Sequence, residues 1–322
     1  MSARSAGPDS WMLSVGGVDF RVNSDMPLPK HDIPAYLPFV CLESAQAHPS
    51  ADIDVEVLVG ALPQDDLPVL FDSQESWTMQ LGQEGSYRLR FRRTDEELPH
   101  TVVCSDSRTT SVRVHMHQRL VVDGPRLEAP WNPLRYPLDQ LLLVNHLAPR
   151  GGILVHAAGV VAHGRAVVFP GRSGAGKSSL SRLFMEAGLG ECMLSDDRIV
   201  IRTWGEHDET KRYGGRARAE AWGTPWPGDA GLARNACAPL AALYFLVQAA
   251  ETSLVPLDAG TAMRRLLPVV SVPWYDAERG PQVMSTCAWL VENFPCFDLR
   301  FRLDQHVVET IMEGDLVGGA QR

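Results

Sequence analysis

A chain of 322 residues, 45% hydrophobic and without an extreme of composition, can bury one large core or two ordinary ones. Its formal net charge of −9, with no sustained basic face, argues against a nucleic-acid partner, because phosphate backbones are bound by basic surfaces. Six cysteines without C-x-x-C spacing, no cationic start leading into an apolar stretch, and no apolar run of bilayer length set the expectation of a reduced, cytoplasmic protein with no membrane partner.

In chain order, the first pattern is strand-like. Met12 to Val22 surrounds Gly16-Gly17, and Ile53, Val55, Val57 and Val59 alternate with Asp54 and Glu56. Trp77, Met79 and Leu81, then Tyr87, Leu89 and Phe91 alternating with Arg88, Arg90 and Arg92, predict a hairpin; Val102 to Cys104 and Val112 to Met116 add further strands. His115 and His117 share a strand face, but no other ligands lie near them in sequence, so they read as a solvated face and not a metal site. Residues 1–130 are therefore expected to form a β-rich N-terminal domain. Residues 131–322 are expected to form a second domain, entered through a proline-rich strap at 125–137 and a leucine-rich helix from Leu138 to Leu147 that ends near Pro149 and Gly151.

The second half carries the chemistry. Residues 152–161 are apolar except for His156, a turn follows at 162–165, and Ala166 to Phe169 suits a buried strand. Next comes Gly171-Arg172-Ser173-Gly174-Ala175-Gly176-Lys177-Ser178, which fits G-x-x-x-x-G-K-[ST], and then Ser179 and a helical spacing of Leu180, Leu183, Phe184 and Ala187. Glycines let the backbone curl until its N–H groups face phosphate oxygens, the lysine adds a mobile charge for the β- and γ-phosphates, and the serine hydroxyl can hold Mg²⁺. Residues 171–179 are accordingly the expected nucleotide site, with ATP and Mg²⁺ as its ligands. The chain has only three lysines, Lys30, Lys177 and Lys211, which makes an accidental match improbable.

Cys192-Met193-Leu194 then leads into Ser195-Asp196-Asp197-Arg198, an apolar strand ending in aspartate of the kind that brings a carboxylate to nucleotide-bound metal. Two adjacent aspartates allow one to bind metal while the other takes a proton from an acceptor hydroxyl. Lys211, Arg212, Arg216 and Arg218 around Gly214-Gly215 form the one basic concentration. That segment reads either as a solvated hairpin tip or as a loop closing over an anionic ligand. Trp222-Gly223-Thr224-Pro225-Trp226-Pro227-Gly228 is too aromatic and rigid for a generic loop and suits a core edge or a cleft. A strand at 243–247, a helix at 260–267, a strand at 297–303 and a last short helix complete an α/β layer.

His156 fifteen residues before the loop, GRSGAGKS itself and LSDDRIVI together resemble the catalytic domain of the HPr kinase family, closely over residues 150–202. EAWGTPWPG and APLAALYFL look like the broader HPr-kinase-like group. The resemblance implies an α/β fold related to phosphoenolpyruvate carboxykinase. It carries the phosphate-loop lysine and the metal-binding serine onto Lys177 and Ser178, the catalytic aspartate onto Asp196, the neighbouring acidic position onto Asp197, which leaves Asp197 as the aspartate of the pair expected to bind metal, and the active-site histidine onto His156. Arg172 stands where HPr kinases usually have Asp, Ser179-Leu180 replaces Glu-Thr, and the downstream Glu-Arg-Gly signature is absent, with Glu220 the one candidate for its metal role. The expected activity is transfer of a γ-phosphate from ATP to a hydroxyl, with a peptide, a protein or a small-molecule alcohol as acceptor; a homo-oligomer is left open. A regulatory ATP-binding module and a phosphoenolpyruvate-carboxykinase-like enzyme are the competing classes.

Overall fold

The computed structural model describes residues 9–24, 26, 28, 33–41, 50–65, 67–92, 99–117, 132–204 and 217–313. The chain is mixed α/β and divides into two units, Met1–Ser14 with Val18–His146, and Val15–Gly17 with Leu147–Arg322. The division after His146 makes the leucine-rich helix part of the first unit. No helix among the described residues is long and apolar enough to cross a membrane.

The first unit is organised by strands, several of which bury every second residue. Its strands are β1 (Asp9–Val15), β2 (Val18–Ser24), β3 (Val40–Cys41), β4 (Ile53–Gly60), β5 (Val69–Asp72), β6 (Trp77–Leu81), β7 (Tyr87–Phe91), β8 (Thr101–Ser105) and β9 (Ser111–His117). Among the described residues they form one sheet in the order β3-β1-β2-β4-β9-β8-β7-β6-β5. In β4 the side chains of Ile53, Val55 and Val57 are buried, while Asp54 and Glu56 point to the other face and pair with Arg21 and Arg113. Here β4 lies parallel to both β2 and β9, so its partners are distant in sequence. The expected hairpin forms between β6 and β7, with Trp77 opposite Phe91 and Leu81 opposite Tyr87. Helix α1 (Leu138–Leu147) buries Leu138, Leu142 and Leu143, and the buried carboxylate of Asp139 accepts the Tyr36 hydroxyl at 2.6 Å. His115 and His117 belong to no group of three metal-ligating side chains among the described residues.

In the second unit the run Ala166 to Phe169 is apolar throughout because both faces of its strand are covered. Ala166 and Val168 enter one core, Val167 and Phe169 another. Strands β10 (Gly152–Ala162) and β11 (Arg165–Pro170) form an antiparallel hairpin, followed by α2 (Lys177–Glu186), β12 (Met193–Ser195), β13 (Arg198–Trp204) and β14 (Arg218–Trp222). Then come β15 (Cys237–Gln248), β16 (Ser253–Pro256), α3 (Ala259–Leu266), α4 (Arg279–Asn293), β17 (Cys296–Phe301) and α5 (Gln305–Met312). Two strands are long enough to serve several neighbours. Residues 152–156 of β10 pair with β13 and residues 157–162 with β11, while β15 pairs in turn with β14, β11 and β17. Leu266, Val283, Cys287 and Leu290 of α3 and α4 fill the first core. Leu180, Phe184, Val307 and Ile311 of α2 and α5 fill the second. The strand leading to the glycine loop is thus held from both sides.

The aromatic strap after β14 is core structure. Thr224 and Trp226 are buried, and Gly223 is wedged so closely that a Cβ there would stand 2.0 Å from the Arg234 carbonyl oxygen and 2.6 Å from that of Leu194. Neither backbone can retreat without breaking the Arg234 N–H bond to the Leu194 carbonyl. Gly223→Ala is therefore expected to destabilise by about 3 kcal/mol or more, as overpacking against rigid backbone does. Thermal unfolding of the variant beside wild type measures this, and an unchanged midpoint would show that the strap is loosely held.

Candidate functional site

The segment GRSGAGKS connects the end of β11 at Pro170 to the start of α2 at Lys177. Gly174 and Gly176 adopt φ of 82° and 103°, left-handed conformations in which a side chain would be strained. Arg172, Ser173 and Gly174 form the exposed tip, Gly171 and Ala175 are half-buried at its base, and Ser178 and Ser179 stand half-buried in the first turn of α2. Lys177 is only 5% exposed, and its ammonium donates to the carbonyls of Gly171 at 2.7 Å and Arg172 at 3.1 Å. Burial pushes this ammonium below the ordinary lysine value; Asp197 and Asp196 act against that shift and Arg198 with it. A buried cation is thereby held at the mouth of a helix whose first N–H groups are unbonded to carbonyls within it.

Strand β10 ties this loop to the paired aspartates. The Gly171 N–H donates to the His156 carbonyl at 3.1 Å, and the next residue, Ala157, donates its N–H to the Asp197 carbonyl at 3.0 Å. The His156 side chain bridges the same gap, its Nε2 lying 2.8 Å from Asp197 Oδ1. An ionised carboxylate can only accept, so Nε2 carries the proton and donates. On the other side, Arg198 Nη1 donates to Asp197 Oδ2 at 2.6 Å and to the Asp197 carbonyl at 3.1 Å. Burial alone would raise the Asp197 carboxyl. The His156 hydrogen bond and the charges of Arg198 and Lys177 outweigh it and hold that carboxyl below the ordinary carboxylate value. Asp197, His156, Lys177 and the glycine loop are thus one cluster.

Asp196 faces elsewhere. It is 1% exposed, its Oδ1 accepts the Gly228 and Leu232 N–H groups at 2.9 and 3.2 Å, and its Oδ2 accepts the Ala230 N–H at 2.8 Å. The carboxylate is the anchor of the 228–232 loop, and the same strap is fixed again where the Thr224 hydroxyl donates to the Arg198 carbonyl at 2.7 Å. Glu220 is not in the cluster. It accepts from Arg218 at 2.7 Å and sits opposite Arg202, four residues along β13 from Arg198, roughly 13 Å at the usual strand rise. Of the basic segment, Lys211, Arg212, Gly214, Gly215 and Arg216 lie outside the described residues. Sequence reasoning did not find Arg198 or the three loop amides, since neither a charge after an aspartate pair nor a Pro-Gly-Asp turn whose glycine lies 32 residues on marks its own partner. The chain matches no protein-family model and no curated protein.

Proposed function

We propose that this chain is an ATP- and Mg²⁺-dependent kinase with an HPr-kinase-like catalytic unit, transferring the γ-phosphoryl group to a hydroxyl, a serine of a peptide or protein in the first instance and a small-molecule alcohol in the second. The observation that carries it is the convergence of a buried loop lysine with a carboxylate held between histidine and arginine, all fastened to one strand. The residues fit the ligands. Lys177 already bonds two loop oxygens and can exchange them for phosphate oxygens, and the loop glycines leave the backbone free of side chains. Ser178 is the protein group that would hold Mg²⁺, an ion that needs only one or two protein ligands when phosphates supply others and that neutralises charge on the β- and γ-oxygens.

Within this reading Asp197 takes the proton-accepting role that the resemblance assigned to Asp196. Asp196 is a structural anchor, and Asp197 is the group left to meet the acceptor. The acceptor hydroxyl gives its proton to the Asp197 carboxylate, its oxygen forms the new bond to the γ-phosphorus, and the bond from that phosphorus to the β–γ bridging oxygen breaks with ADP taking the electron pair. A loose transition state builds little charge on the attacking oxygen before transfer, so a carboxylate of lowered basicity suffices. His156 keeps Asp197 oriented through Nε2. Lys177 neutralises charge on the phosphates, which with positioning supplies most of the rate in this chemistry.

The test is incubation with γ-labelled ATP, Mg²⁺ and a lysate fractionated by size. Label is expected in a peptide or protein fraction, or failing that in a metabolite fraction. Tight ATP binding with label in no fraction would favour the regulatory-module reading. Neither binding nor transfer would sink both.

A further inference from the structure

Arg198 sits directly opposite His156 in the β10–β13 register, so the two side chains leave the same face of the sheet and meet over one carboxylate. They hold different oxygens of it. His156 Nε2 takes Oδ1, and Arg198 Nη1 takes Oδ2 while also bonding the Asp197 carbonyl, closing a ring from the guanidinium back onto the preceding residue. Two donors on two oxygens fix both side-chain torsions of Asp197. The backbone beneath is fixed as well, with the Arg198 carbonyl accepting from Thr224 and the Asp197 carbonyl from Ala157.

This arrangement matters because a rival is near. Lys177 belongs to the same corner, since the Gly171 whose carbonyl it bonds donates its own N–H to the His156 carbonyl, and a carboxylate free to turn toward that ammonium would pair with it in the half-dry site. Such a pair would cost the site both its partners, the lysine for phosphate and the carboxylate for the acceptor. Instead Lys177 bonds neutral loop carbonyls, and Asp197 bonds His156 and Arg198. We propose that Arg198 is a positioning residue that holds Asp197 on His156 and away from Lys177, a role that rests on the kinase reading above for its effect on rate but not for its geometry.

The experiment compares wild type with Arg198→Ala, Arg198→Lys and Asp197→Asn. With ¹⁵N-labelled histidine at one fixed pH, His156 is expected to show the Nε2–H tautomer in wild type and a mixture in Arg198→Ala, with Arg198→Lys restoring part of the signal. In the transfer assay Arg198→Ala is expected to lose about 30-fold or more in kcat with the KM for ATP moved less than about threefold, the mark of an interaction that acts on the reacting geometry. Added to Asp197→Asn, the same change is expected to cost nothing further, because residues acting through one another are not additive. An unchanged tautomer, or an additive double variant, overturns the assignment. Should Arg198→Ala fail to fold, Arg198→Gln and Arg198→Lys carry the same comparison. A wild type that neither binds ATP nor transfers phosphate would sink the kinase reading while the tautomer comparison still decides the role of Arg198.

Discussion

Lys177→Ala is expected to lower turnover with Mg²⁺-ATP by about 10³-fold or more, since removing one preorganised donor from developing phosphoryl charge costs 10² to 10³ and this lysine also binds the ground state. The fold should survive. The side chain is a buried cation whose desolvation already pushes it below its ordinary value, and what its loss exposes is a pair of loop carbonyls at the edge of an exposed tip. Truncation thus removes a penalty along with two hydrogen bonds. Nucleotide affinity measured by calorimetry and rate measured with label should fall together, with the thermal midpoint nearly unmoved. If the variant keeps wild-type activity, the glycine loop is not the active site, and the resemblance to HPr kinases is misleading. If it unfolds, Lys177 is a structural residue first.

Much of the second unit was legible because local patterns there coincide with the forces that fix it. The apolar run of β11, the glycines of the loop and the spacing of Leu180 and Phe184 each state their own element. The β6–β7 hairpin was legible for the same reason, its partners being adjacent in sequence. Sheet order was not legible. Nothing in Ile53 to Gly60 tells that its neighbours are β2 and β9, or that long β10 and β15 each pair with several strands. Helix α4 went unpredicted, although Val283, Cys287, Leu290 and Val291 lie on its buried side. In the site, the residues alone name both aspartates without telling them apart, and only the resemblance assigned catalysis to Asp196, since the difference lies in which partners the fold brings to each. Asp196 meets amides 32 to 36 residues away, and Asp197 meets a histidine on a neighbouring strand.

That difference makes the aspartates the sharpest test of the whole reading. Asp196→Asn replaces an acceptor of three backbone N–H groups with a side chain that keeps one oxygen and turns an NH₂ toward at least one of them. Bonds to a charged group are worth about 1.5–3 kcal/mol each and a buried donor left unpaired costs a similar amount, so a loss of roughly 2–4 kcal/mol of stability is expected. Any loss of rate in this variant should follow the loss of folded protein and recover at lower temperature. Asp197→Asn should behave in the opposite way. Its side chain is 28% exposed, so water can replace part of what His156 and Arg198 lose, and the thermal midpoint should move less than in Asp196→Asn. ATP affinity should stay within a few-fold while transfer falls by about 10² to 10⁴, the usual worth of acid–base help. Thermal unfolding, calorimetry and the transfer assay on both variants separate these cases. A stable but inactive Asp196→Asn beside an active Asp197→Asn would return the base to Asp196. An Asp197→Asn that loses Mg²⁺-ATP binding and regains it at high metal would make Asp197 a metal ligand, leaving His156 as the remaining group of the cluster able to take the acceptor proton.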